Sequence, residues 1–294
     1  MLRAKGPPSR WKAWLVGFLV EGAFTGKLTT CTVDHPQTQT RARSMDAAAP
    51  RHYFVQFGVA WLGLCVADAL LRRTATRARW EWVHALSNAA TTLFALPGVY
   101  AALTDPVHAA DPRVHPSDAT TFWGPGAPFA LIVIAAAHVH HAAFFGLNAH
   151  DVFHHLVFAL TLSLVPLFVV ETGALRMLTA FAISGLPGGV QYVAVALYKD
   201  GVLEHRAMKR LTAALNLWVR APLLVFDTTL QYVGYVAATN PEALGFHLLI
   251  GGLKAFNALY YLDLSIRSHE RALAPRASAP ARRPRAPYSR GHVN

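Results

Sequence analysis

From Val152 to Val170 the chain carries no Asp, Glu, Lys or Arg, and its side chains are mostly Leu, Val, Phe and Ala. A helix of about twenty such residues is long enough to cross the hydrocarbon of a bilayer. In lipid every backbone amide has to be satisfied within the segment, and a helix does that. The run opens on His150-Asp151-Val152-Phe153-His154-His155, so imidazoles and a carboxylate stand where the apolar stretch meets water. On a helix His150 and His154 share one face, and Asp151 and His155 share the adjacent one, each pair being four residues apart.

Comparable apolar windows run from Tyr53 to Leu71, Val83 to Leu103, Ala127 to Leu147, Val152 to Val170, Ala174 to Tyr198, Leu217 to Ala238 and Ala243 to Leu262. The chain is 53% hydrophobic and only 15% charged, which is poor in charge for a soluble domain. The expected fold class is all-α, a polytopic transmembrane helix bundle of about seven spans. The net charge of +11 comes from basic residues between and after the spans. It therefore points to anionic lipid headgroups and not to nucleic acid. Membrane lipids are the expected partners, and a homo-oligomer is compatible with the chain. Two cysteines, Cys31 and Cys65, build neither a disulfide framework nor a cysteine zinc site.

The flanks differ from the middle. Residues 1–50 form a leader in which Arg3, Lys5, Arg10 and Lys12 precede a short apolar run from Trp14 to Val20 and a Thr-rich, acid-poor stretch to Ser44. A signal-peptide core, an interfacial helix and a transit peptide all fit that pattern. Residues 51–266 hold the spans. Residues 267–294 mix Arg, Pro and Ala without apolar periodicity, which predicts a disordered basic tail against an anionic leaflet. Arg72, Arg73, Arg77 and Arg79 follow the first span, and Lys199, Arg206, Lys209 and Arg210 follow the fifth. The positive-inside rule puts that face in the cytosol and the N-terminus outside.

His84, His138, His140, His141, His150, His154, His155 and His205 all fall toward this basic face. Spacing puts His84 with Asn88 on one helix face, and His138 with His141 on another. Single polar residues in spans serve as interhelical hydrogen-bonding glue. A cluster of ionisable groups at membrane depth points to function. Asp227 and Lys254 lie near the middles of the last two spans and are expected to meet as an ion pair. Arg220 is expected to snorkel to the basic surface and Asp68 to reach Arg72 one turn on. The segment Ser184-Gly185-Leu186-Pro187-Gly188-Gly189, with Gln191 and Tyr192 behind it, predicts a break in the fifth span. Either a polar chamber or a plain kink would satisfy it.

Asp151-Val152-Phe153-His154-His155 at the head of a span resembles the paired-histidine signature of the TLC domain shared by TRAM, Lag1 and CLN8 proteins. Trp82-Val83-His84-Ala85-Leu86-Ser87-Asn88 is similar to the His-and-Asn start of that domain. The resemblance covers roughly Tyr53 to Arg267 and implies a TLC-like membrane domain that makes, moves or senses lipids. Ceramide synthases, its best-known enzymes, join an acyl group from acyl-CoA to a sphingoid amine. By that resemblance His154 and His155 are the catalytic residues, with Asp151 orienting a ring, and acyl-CoA is the substrate. His84, Asn88, His138, His141 and Gln191 are the expected substrate-binding residues, with no cofactor or metal required. The enzymes carry two aspartates in the following span, whereas Ala174 to Tyr198 contains no Asp or Glu. This points to other branches of the family. The expected location is the endoplasmic reticulum membrane, or another organelle membrane if the leader is a transit peptide. The alternative reading is a membrane di-iron desaturase or hydroxylase, since imidazole suits iron and His150, His154 and His155 have one fitting spacing.

Overall fold

A computed structural model describes residues 49–74, 76–111, 114–168, 172–237 and 244–274. Among them every regular element is helical and no strand occurs. The helices are α1 (Ala49–Leu71), α2 (Arg79–Thr104), α3 (Phe129–Phe144), α4 (Ala149–His154), α5 (Thr161–Phe168), α6 (Leu175–Ile183), α7 (Leu186–Lys199), α8 (His205–Leu215), α9 (Ala221–Ala237) and α10 (Leu244–Leu273). π-Helical segments, His155–Leu160 and Asn216–Arg220, join α4 to α5 and α8 to α9. Four stretches are long and apolar enough to cross a bilayer: Arg51–Leu71, Arg79–Thr104, Ala149–Phe168 and Leu175–Lys199. The apolar window at Ala127 yields only the 16 residues of α3, a shorter apolar helix. Charged and amide side chains interrupt α9 and α10. The expected leader lies outside the described residues apart from its last two positions, which open α1.

Helix α2 is the centre of the bundle, packing against α1, α3, α6 and α7. Its buried positions His84, Asn88, Thr91, Ala95, Gly98 and Ala102 recur every three or four residues, the spacing of one helix face. Most of them are small, which lets helix backbones approach in lipid, where packing replaces the hydrophobic drive between helices. The approach is closest at Gly98, where an added Cβ would lie 2.4 Å from Met177 Cβ on α6. Outward-facing Phe54, Val55, Val59, Leu62, Val66 and Leu70 on α1 are exposed and apolar, as a lipid-facing helix requires.

The break expected in the fifth span lies between Ile183 and Leu186. Gly185 occupies it because a Cβ there would sit 2.8 Å from Phe181 Cα and carbonyl oxygen. Pro187 falls in the first turn of α7, where its missing N–H has no partner to lose. The far end of the bundle also departs from expectation. Helix α10 continues through Arg267 to Leu273, held by Arg267 Nε to Asp263 at 2.7 Å and Arg271 Nε to the Arg267 carbonyl at 3.1 Å. Residues 267–273 are thus helical where composition implies a disordered tail, and residues 275–294 lie outside the described set.

Candidate functional site

The loop from α3 to α4 is short, so the C-terminus of one helix and the N-terminus of the next present their side chains to each other. Asn148 caps α4 by accepting from the backbone N–H groups of His150 and Asp151, and Asp151 returns the bond by accepting from Asn148 N at 2.9 Å. Such a reciprocal cap satisfies amides that would otherwise be orphaned. It also fixes where His154 and His155 emerge, one turn further on.

Those two rings meet His138 and His141 of α3. His138 Nδ1 lies 2.7 Å from the Ile134 carbonyl, which can only accept, so the proton is on Nδ1 and Nε2 carries the lone pair. His154 Nε2, 3.2 Å away, must then donate to it. His154 Nδ1 is left to accept from the Tyr261 hydroxyl at 2.8 Å. The chain Tyr261 to His154 to His138 to Ile134 uses every nitrogen of both rings and leaves both neutral. A second pair, His141 Nδ1 and His155 Nε2, is 3.1 Å apart.

Aromatic side chains wall the cluster. Trp80 stacks on His141 with ring centroids 3.8 Å apart, and Tyr192 stacks on His84 at 4.2 Å. Asn88 is buried one turn from His84 and meets the helix break, since a Cβ on Gly188 would lie 2.9 Å from its amide nitrogen. Gln191 accepts from Arg220 Nη1 at 3.5 Å, and Arg220 also donates to Asn216 at 2.8 Å. The expectation that Arg220 snorkels outward is corrected: it is 7% exposed, because Asn216 and Gln191 supply acceptors inside the bundle and its guanidinium lies 5.8 Å from the Tyr261 ring centroid. His140 points the other way, fully buried with Nε2 3.9 Å from Asp68. It stands about 200° around the helix from His138. Asp68 meets Arg72 as expected, at 2.9 Å, and also Arg79 at 3.1 Å.

Beside the cluster, at the basic end of the bundle, opens a cleft of about 710 Å³. His141 and Trp80 line it, together with the cations Arg72, Arg77, Arg79 and Lys199 and the carboxylates Glu81 and Asp151. Lys199 pairs with Glu81. At the edge, Asp200 accepts from the Trp82 indole at 3.1 Å and from the Thr76 hydroxyl at 2.8 Å. These donors, the indole first, hold its carboxyl below the ordinary carboxylate range.

The structure thus brings His84, His138, His141, His154 and His155 together, with Asn88 and Gln191 on the adjoining helices. It uses Asp151 as a helix cap, and among the described residues no bond from that carboxylate to a ring is formed. Tyr261, Trp80, Tyr192 and Arg220 join the site without having been singled out for it. Tyr261 carried one usable signal, its spacing of seven from Lys254 on the same helix. Among the described residues no group of three or more His, Cys, Asp or Glu side chains is arranged to hold a metal ion. The two hydrogen-bonded imidazole pairs also touch each other, the His138 and His155 ring centroids lying 4.7 Å apart. Comparison with protein-family models, with curated proteins and with solved structures finds no match to this chain.

Proposed function

We propose that this chain is a TLC-like membrane protein of about seven spans that handles lipids, its imidazole cluster facing the cytosol and serving acyl transfer to a lipid amine or hydroxyl. The observation that carries the reading is that His141, at the wall of the basic cleft, pairs with His155 behind it, backed by the hydrogen-bonded chain through His154, His138 and Tyr261. A substrate such as acyl-CoA bears several anionic phosphates. Arg72, Arg77, Arg79 and Lys199 would attract them and hold the thioester end toward the rings. The attacking amine or hydroxyl must lose a proton as the new bond forms, and a neutral imidazole within hydrogen-bond reach accepts it. His155 and His141 are the candidates for that base. His154 is a positioning residue, held in one tautomer by Tyr261 and His138. The proton then leaves with the thiol of the departing group.

Profiling membrane lipids of cells that express the wild-type chain or a His154→Ala, His155→Ala variant tests the reading. The expected result is an acylated lipid present with the wild type and lost with the variant at equal protein level. An unchanged profile overturns catalysis.

A further inference from the structure

A second recess lies between α8 and α10, a groove of about 480 Å³ that shares no lining residue with the cleft beside the imidazoles. Arg206, Arg210, Leu211 and Ala214 line it from α8, and His269 and Leu273 line it from α10. Their spacings put each set on one face of its helix. Small-molecule sites have volumes of about 300–1,000 Å³, so the groove is large enough to hold a ligand.

Its cations are largely unspent. Arg206 Nε donates to the Ala272 carbonyl at 3.1 Å, one of the last carbonyls of α10, which have no partner within the helix. The two terminal nitrogens of Arg206 make no bond among the described residues, and Arg210 and His269 make none at all there. His269 Nδ1 is buried without a partner. Glu204 and Glu270, the carboxylates close to these residues in sequence, form no ion pair among the described residues. Arg267 is already taken by Asp263.

The groove also lies at headgroup depth. Helix α10 exposes Phe256, Leu259 and Ile266, and the π-helical segment between α8 and α9 exposes Trp218. His269 stands one turn beyond Ile266, and Ala214 one turn before Trp218. A turn rises about 5 Å, the order of the polar layer on each side of the hydrocarbon. Beyond those two points the only exposed large apolar side chains on α8 and α10 are Leu211 and Leu273, and both line the groove. Cationic walls with exposed leucines between them suit an occupant that carries both an anionic group and hydrocarbon. The chain's own tail does not qualify, because residues 275–294 hold five arginines and no Asp or Glu.

We propose that the groove between α8 and α10 binds one anionic phospholipid whose headgroup is a phosphate monoester, phosphatidic acid being the simplest. A monoester carries nearly two negative charges at neutral pH, and the guanidinium forks of Arg206 and Arg210 meet it with paired N–H donors. His269 adds a third contact. The glycerol and first methylenes cover Leu211 and Leu273, and the chains run past small Ala214 to the hydrocarbon. The lipid thereby clamps α8 to the last turns of α10. The site goes beyond the acyl-transfer reading and does not rest on it.

The test is the melting midpoint of the full-length protein in dodecyl maltoside micelles, titrated with dioctanoyl phosphatidic acid. A ligand that binds only the folded state raises the midpoint according to its concentration over Kd, so the titration yields an apparent Kd. Phosphatidic acid should raise the midpoint, and equal amounts of dioctanoyl phosphatidylcholine or inorganic phosphate should not. Arg210→Gln removes a side chain that bonds to no described residue. It should leave the lipid-free midpoint in place and weaken the apparent affinity about tenfold, the loss of one charge-assisted bond. Lys209→Gln removes the neighbouring cation, which does not line the groove, and should leave the affinity nearly unchanged. Equal loss in both variants means diffuse attraction to a basic surface and overturns the site. So does a midpoint that phosphatidic acid fails to raise, or one that phosphatidylcholine or inorganic phosphate raises as far. No lipid is consumed in this measurement, so its failure is distinct from a failure of the acyl-transfer reading.

Discussion

Two polar regions sit inside an apolar bundle and solve the same problem differently. The imidazole cluster is made of neutral rings that satisfy one another and border an open cleft. The Asp227–Lys254 region is built from full charges, closed off from the surface, with Gln231 and Thr179 completing the shell. A neutral ring is inexpensive to bury and can donate or accept by choice of tautomer, so it can stand beside a substrate. A charge in the same place needs its counter-charge at contact distance, and losing either partner strands the other.

The sharpest way to break the comparison is Lys254→Met. It leaves the Asp227 carboxylate buried against Thr179 alone, and removing one partner of a buried pair costs about 3–5 kcal/mol. The expected outcome is a large fall in the detergent-denaturation midpoint, partly recovered when Asp227→Leu is added. A double variant no better than the single would mean that the pair is not the unit of stability. Tyr261→Phe probes the other region and should do less. It leaves His154 Nδ1 without a donor, at about 1–3 kcal/mol for an unsatisfied buried acceptor. Because it also frees the His154 tautomer, the proposed acyl transfer would lose more in kcat than in KM for the acyl donor, which steady-state kinetics would check. The smallest effect belongs to Asp200 at the rim. Its folded-state pKa is depressed, so its contribution is full above the ordinary value of 3.8 and is lost as pH falls below it. Melting temperatures recorded between pH 5 and pH 3 should drop more steeply for the wild type than for Asp200→Asn.

Part of this was legible in the residues. His138 and His141 lie three apart, which on a helix means one face, and they do share the cluster. Asp227 and Lys254 occupy the middles of consecutive apolar windows in the sequence, and they meet. The Gly-Leu-Pro-Gly-Gly segment from Gly185 to Gly189 announced the break between α6 and α7. Arg220 was misread because a long basic side chain near a span end usually reaches water. Here Asn216, one turn earlier, keeps it inside. Tyr261 and His154 are separated by 107 positions, and no local pattern joins residues so far apart.

What the sequence determined by itself is the solvent: long runs without charge require helices, and helices of that length belong in a bilayer. Helical spacing also settled which side chains leave a helix in the same direction. Only the tertiary structure decided which faces meet. It brought α10 against the head of α4, turned Arg220 inward and gave Asp151 to a helix cap. Packing between helices in lipid depends on the shapes of small residues and on interhelical hydrogen bonds. Those are properties of two surfaces together, and neither surface shows them alone.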